Sequence, residues 1–83
     1  MLVPLYGFLE GDTMGLLVLA HDDMTMDKVA NLLCSAAKPR VVVDGPVRVM
    51  VLGREIDQSV TVAQAGLHAL ARIDVRRKTS NVQ

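Results

Sequence analysis

Met24-Thr25-Met26-Asp27-Lys28-Val29-Ala30-Asn31-Leu32-Leu33-Cys34-Ser35-Ala36-Ala37-Lys38-Pro39 is the stretch that decides the fold. Thr25 is an N-cap residue, because its side-chain oxygen can accept from an orphan backbone N–H one turn on. Asp27 sits in the first turn, where the helix dipole favours negative charge. Met24 and Val29 hold the N′ and N4 positions of a hydrophobic staple. Val29, Leu32, Leu33 and Ala36 recur at three- and four-residue spacing and form the expected apolar face. Lys38 precedes Pro39, and a residue before proline is pushed out of the α region. The spacing therefore predicts one helix over about residues 26–37.

On the N-terminal side, Leu2-Val3-Pro4-Leu5-Tyr6-Gly7-Phe8-Leu9 is a short apolar run that reads as a strand. Pro4 lacks a backbone donor, so part of this strand should face a ladder gap or an edge. Glu10-Gly11-Asp12 is turn material, and Met14 to Ala20 is a second apolar run, giving a β-hairpin. His21-Asp22-Asp23 breaks the pattern before the helix.

On the C-terminal side, Val41 to Val43 is apolar but short, and Asp44-Gly45-Pro46 is turn chemistry. Val47 to Leu52 reads as a third strand, Gly53 as a turn, and a shorter strand centres on Ile56. Ser59 to Leu67 suits a short helical turn closed by a glycine C-cap. From Ala71 to Arg76 apolar and charged residues alternate, which is a half-buried strand. The order is strand, strand, helix, strand, short strand, helical turn, strand. It predicts one sheet with one helix on one face, an α+β domain over residues 1–78 with a flexible tail at 79–83.

Composition narrows the function. The chain has 83 residues, of which 51% are hydrophobic, and Tyr6 and Phe8 are its only aromatics. A domain of this size buries about 60–65% of its unfolded surface, so the aliphatic residues are needed for the core and little volume is left for a ligand. Nine basic and nine acidic residues balance, so no basic field is available to bind nucleic acid. Arg76-Arg77-Lys78 reads as a solvated strand end. The single cysteine, Cys34, allows no internal disulfide or cysteine-based zinc site and reads as a small buried hydrophobe. His21 and His68 lie far apart without metal-ligand spacing. No run reaches the length of a membrane span, and no signal peptide is recognisable, so the expected compartment is the cytoplasm.

Several stretches resemble a known fold and family. Thr25 with Val29 and Leu33, Val49-Met50-Val51-Leu52-Gly53, Thr61-Val62 with Gly66-Leu67, and Ile73 with Val75 resemble the ubiquitin-like β-grasp fold. That fold implies a mixed four- to five-stranded sheet with one main helix across one face. Thr25-Met26-Asp27-Lys28-Val29-Ala30, Val47-Arg48-Val49, Thr61-Val62-Ala63-Gln64-Ala65-Gly66-Leu67 and Ile73-Asp74-Val75 are similar to the small subunit of bacterial toluene monooxygenases, the toluene-4-monooxygenase system protein B family. The resemblance spans about residues 5–76. It implies a non-catalytic accessory (γ) subunit of a multicomponent diiron hydroxylase. The iron site would lie in a larger subunit, on which this one packs.

The residues themselves carry no chemistry of that kind. A diiron site draws on Glu-x-x-His pairs on helices. Glu10 and Glu55 are the only glutamates, and neither has a histidine three residues on. No phosphate loop or nucleophile signature occurs. Sulfur carriers and conjugated modifiers of this fold end in Gly-Gly, whereas this chain ends Ser80-Asn81-Val82-Gln83. The expectation is no catalytic residue, no metal, no cofactor and no small-molecule substrate.

Two strands break the alternation of a one-sided sheet. Leu16 and Val18 point one way and Leu17 and Leu19 the other; Val49 and Val51 oppose Met50. If Leu16 and Val18 face the helix, Leu17, Leu19 and Met50 lie on the open face. There they are either scattered surface hydrophobes or an interface patch. Arg48, Arg54, Arg72 and Arg76 are candidate rim residues, for which solubility is the competing explanation. The expected partner is the larger hydroxylase subunit of a diiron monooxygenase, and the alternative is a free-standing ubiquitin-like interaction module, as in a secretion system.

Overall fold

The computed structural model describes residues 1–38, 40–43 and 45–78. The expected tail at 79–83 and the Asp44 position of the expected turn lie outside the described residues. Strands β1 (Leu2–Leu9) and β2 (Gly15–His21) form a hairpin. Helix α1 (Met26–Ala37) follows, then β3 (Val47–Val51), β4 (Arg54–Ile56) and β5 (Arg72–Arg77). The sheet order is β2-β1-β5-β3-β4. β1 and β5 run parallel at its centre and the other neighbours are antiparallel, so the sheet is mixed.

Local chemistry explains the boundaries. Thr25 caps α1 by accepting from the Lys28 N–H at 3.5 Å. The Met26 and Asp27 N–H groups donate to the carbonyls of Val60 (2.8 Å) and Gln58 (3.0 Å). The segment before β5 thus satisfies two helix donors that lack intrahelical partners. Lys38 is extended, with φ −66° and ψ 144°, as the residue before a proline should be. Pro4 also fits its position. The Tyr6 N–H donates to Ala71 at 2.9 Å, so even-numbered residues of β1 turn their backbone groups toward β5. The β5 ladder begins only at Tyr6, one step after the proline's missing donor.

The expected helical turn is also present. Thr61 and Gln64 exchange bonds: the Gln64 N–H donates to Thr61 Oγ1 (3.1 Å) and the Thr61 N–H to Gln64 Oε1 (2.9 Å). This is a capping box. Gly66, at φ +73°, closes the turn. Its N–H donates to the Ala63 carbonyl at 3.0 Å, and the Leu67 N–H to Val62 at 3.3 Å, the Schellman pattern.

The core lies between α1 and one face of the sheet. Val3, Leu5, Leu9, Val18, Ala20, Val49, Ile73 and Val75 meet Met26, Val29, Ala30, Leu33 and Ala37. The helix face differs from the expected one: Leu32 and Ala36 are exposed, and Met26, Ala30 and Ala37 are buried in their place. The reason lies at Gly7, where a Cβ would stand 2.8 Å from Leu33 Cδ1. Leu33 seats over this glycine, and that docking turns Leu32 outward. Cys34 is half-buried at the core's margin, and burial pushes its thiol pKa up. Among the described residues, no helix is long and apolar enough to cross a membrane.

Candidate partner-docking face

Strand register decides which side chains share the face away from α1. On β1 the odd positions Val3, Leu5, Gly7 and Leu9 are buried, so Leu2, Pro4, Tyr6 and Phe8 point outward. On β2 the buried Val18 and Ala20 leave Leu17 and Leu19 outward. The pairs Tyr6↔Leu17 and Pro4↔Leu19 lie directly across the hairpin. Leu17 and Leu19 are each 57% exposed, Leu2 52% and Tyr6 46%. Four large apolar side chains on adjoining strands are therefore open to solvent on one side of the sheet.

The middle of the face is already packed. Gly15 lies opposite Phe8, and a Cβ there would stand 2.8 Å from Phe8 Cζ and 2.8 Å from Tyr6 Cε1. The two rings, 5.4 Å apart between centroids, thus lean over the glycine. The Arg72 guanidinium carbon stands 4.1 Å from the centre of the Phe8 ring, within cation–π range. Arg72 also donates to Asp74 Oδ1, from Nη2 at 3.2 Å and Nε at 3.3 Å.

Beyond β5 the face becomes charged. Met50 lies opposite Asp74 on one side and Glu55 on the other, and Arg48 lies opposite Arg76. Met50 and Arg48 are half-buried and Arg76 is exposed. The expected grouping of Leu17, Leu19 and Met50 into one patch is therefore corrected. All three are on the open face, but β1 and β5 intervene between β2 and β3. Phe8 and Asp74 fill the row between β2 and Met50. The apolar patch instead continues from the leucines onto Leu2 and Tyr6, which the sequence reading left out. The signal for Tyr6 was the two-faced β1 run; what was missing was the register that chooses a face.

Elsewhere the surface offers little chemistry. A groove of about 410 Å³ runs between the β3–β4 turn and the 61–67 turn, lined mainly by Val51, Leu52, Ala65, Leu67 and Ala71, with His68 at its edge. Among the described residues no group of three or more His, Cys, Asp or Glu is placed to hold a metal ion. Asp12 takes a two-pronged bond from Arg40, Nη2 to Oδ2 at 3.0 Å and Nε to Oδ1 at 3.3 Å. That guanidinium holds the Asp12 carboxyl below the usual carboxylate range. The pair ties the β1–β2 turn to the chain following α1.

This arrangement has close structural counterparts. A chain in the structure of the toluene 4-monooxygenase HD complex with the inhibitor 4-bromobenzoate superposes with a TM-score of 0.84. It shares 24% identity over 94% of this chain and 100% of its own. The ubiquitin of Caldiarchaeum subterraneum gives 0.76 at 15% identity, covering 99% of this chain and 100% of its own. The ubiquitin-like domain of Plasmodium falciparum Dsk2 gives 0.73 at 15% identity, covering 94% and 100%. The fold is thus the ubiquitin-like β-grasp. No curated protein matches the chain in sequence. The sequence model of toluene-4-monooxygenase system protein B, however, matches residues 2–76. The chain therefore belongs to the toluene-4-monooxygenase system protein B family and is an accessory subunit of a monooxygenase system.

Proposed function

We propose that this chain is a non-catalytic subunit that docks the open face of its sheet on the larger hydroxylase subunit of a cytoplasmic diiron monooxygenase. In this reading the oxidation of the hydrocarbon takes place on the partner, and the small subunit supports or shapes it. The observation that carries the reading is the exposure of Leu17 and Leu19, joined by Leu2 and Tyr6, on strands whose other face is core. A large apolar side chain fully removed from water contributes about 1.5–3 kcal/mol, against which the entropy of association is set. Several such side chains on one rigid sheet face make a docking anchor, with Arg48, Met50 and Arg76 toward the opposite edge.

Leu17→Asp combined with Leu19→Asp tests this. Both residues lie on β2, at the sheet's edge, and neither belongs to the core. The doubly substituted chain should keep its circular dichroism spectrum and lose co-purification with the hydroxylase subunit. Assembly at the wild-type level would sink the proposal.

A further inference from the structure

The charged end of the open face contains two arginines that face each other without a counter-ion among the described residues. Arg48 and Arg76 are directly opposed across β3 and β5. Directly opposed side chains in an antiparallel pair have Cβ atoms only about 4.5–5.5 Å apart, and like charges there repel. The side-chain ion pairs among the described residues are Arg40–Asp12 and Arg72–Asp74, and they involve neither arginine. Arg48 Nε is covered from solvent and has no hydrogen-bond partner among the described residues. An unmet buried donor on a cation is costly unless something supplies an acceptor.

The two acidic residues nearest in register do not supply it. Glu10 follows the Leu9↔Val75 pair and so neighbours Arg76, but its Oε1 accepts from the Arg77 N–H at 2.7 Å. Asp57 follows the Val49↔Ile56 pair and so neighbours Arg48. Its Oδ1 accepts from the Ser59 N–H at 2.9 Å and from Ser59 Oγ at 2.8 Å. Those bonds hold the Asp57 carboxyl below its ordinary range. Glu10 and Asp57 flank the two arginines, so the corner is marked by guanidinium groups without an ion pair among the described residues, and not by a net positive charge.

Resting on the docking reading above, we propose that the Arg48–Arg76 corner binds a carboxylate, an Asp or Glu side chain of the hydroxylase subunit. Guanidinium groups present planar donor forks that match carboxylate oxygens. A single carboxylate between the two arginines would relieve their repulsion and offer Arg48 Nε an acceptor. The docking face would then have an apolar half on β1 and β2 and an ionic half on β3 and β5. The ionic half would set orientation and the apolar half would supply most of the buried area.

The test compares assembly with the purified hydroxylase subunit at low and high salt for wild type, Arg48→Gln, Arg76→Gln and the double variant. Lys28→Gln, on the exposed side of α1, is the control. Each arginine variant should weaken assembly by roughly tenfold or more and flatten its salt dependence, with Lys28→Gln unchanged. Thermal unfolding should be unaffected or shifted upward, since a repulsive pair is removed. Arg76 is exposed, so its variant keeps the test readable should Arg48→Gln unfold. Arginine variants that assemble like wild type with the same salt dependence overturn this proposal. If Leu17→Asp with Leu19→Asp abolishes assembly in that same experiment, the docking face still stands. If the leucine variant also assembles normally, the docking reading falls as well. Equal weakening by Lys28→Gln would show a diffuse charge effect and would likewise overturn the carboxylate site.

Discussion

The two faces of this sheet are made by the same strands and differ in what covers them. Under α1, Leu5, Ala20, Val49, Ile73 and Val75 are completely buried. On the other side, Leu17 and Leu19 are as apolar as the core residues and stand more than half exposed. One-sided burial normally selects polar residues for the outer positions, as β5 shows with Arg72, Asp74 and Arg76. β1 and β2 do not follow that selection. Their outer leucines lie outside the core cluster, which leaves them available for the docking proposed above.

The largest effect that would test this contrast is on the helix side. Leu33→Ala should lower unfolding stability in urea by about 2–5 kcal/mol, because the site over Gly7 cannot collapse around the lost side chain. Leu17→Ala should stay within about 0.5 kcal/mol of wild type. Comparable losses from the two would mean that the outer leucines also support the fold. The two strand glycines sharpen the same contrast at intermediate scale. Gly7→Ala drives a methyl into Leu33 inside the core and should cost about 1–3 kcal/mol. Gly15→Ala meets the Phe8 and Tyr6 rings on the open side, where they can swing away. Its penalty, offset by the restricted unfolded chain, should be below about 1 kcal/mol in thermal unfolding. An equal penalty at both sites would show the open face to be packed as tightly as the core.

The smallest effect lies on the rim, outside both layers. The Asp12 pKa is depressed in the folded protein, chiefly by its bonds from Arg40. Its contribution to stability is therefore present above the unfolded carboxylate pKa and lost as pH falls through the folded value. Urea midpoints of wild type and Arg40→Gln should differ at pH 7 and converge in acid. A gap that persists unchanged below pH 3 would show that Arg40 acts through packing instead.

What could be read from the chain alone was what neighbouring residues determine. Thr25, Asp27 and Lys38 mark the helix because caps act within one turn. Thr61 and Gly66 mark the closing turn for the same reason, and the alternation in β5 shows because one face of it is charged. The buried stripe of the helix was misplaced, since the seat for Leu33 is made by Gly7, which is distant in sequence. The distance between Met50 and the leucines was hidden too. It depends on β5 inserting between β1 and β3, a non-local pairing that no local pattern encodes. Tyr6 escaped notice because a strand apolar on both sides does not announce which side is out.

That insertion has a consequence for how the subunit comes into being. Among the described residues, β5 is the only strand that joins the β1–β2 hairpin to the β3–β4 hairpin. An isolated two-stranded hairpin is marginal in water. While the ribosome is still making the first seventy or so residues, the two halves of the sheet have no ladder in common. The platform that carries Leu17 at one end and Arg48 at the other becomes a single rigid surface only after β5 has emerged and zipped alongside β1. In the docking proposed above, capture through both ends at once would require that β5 is already made and paired.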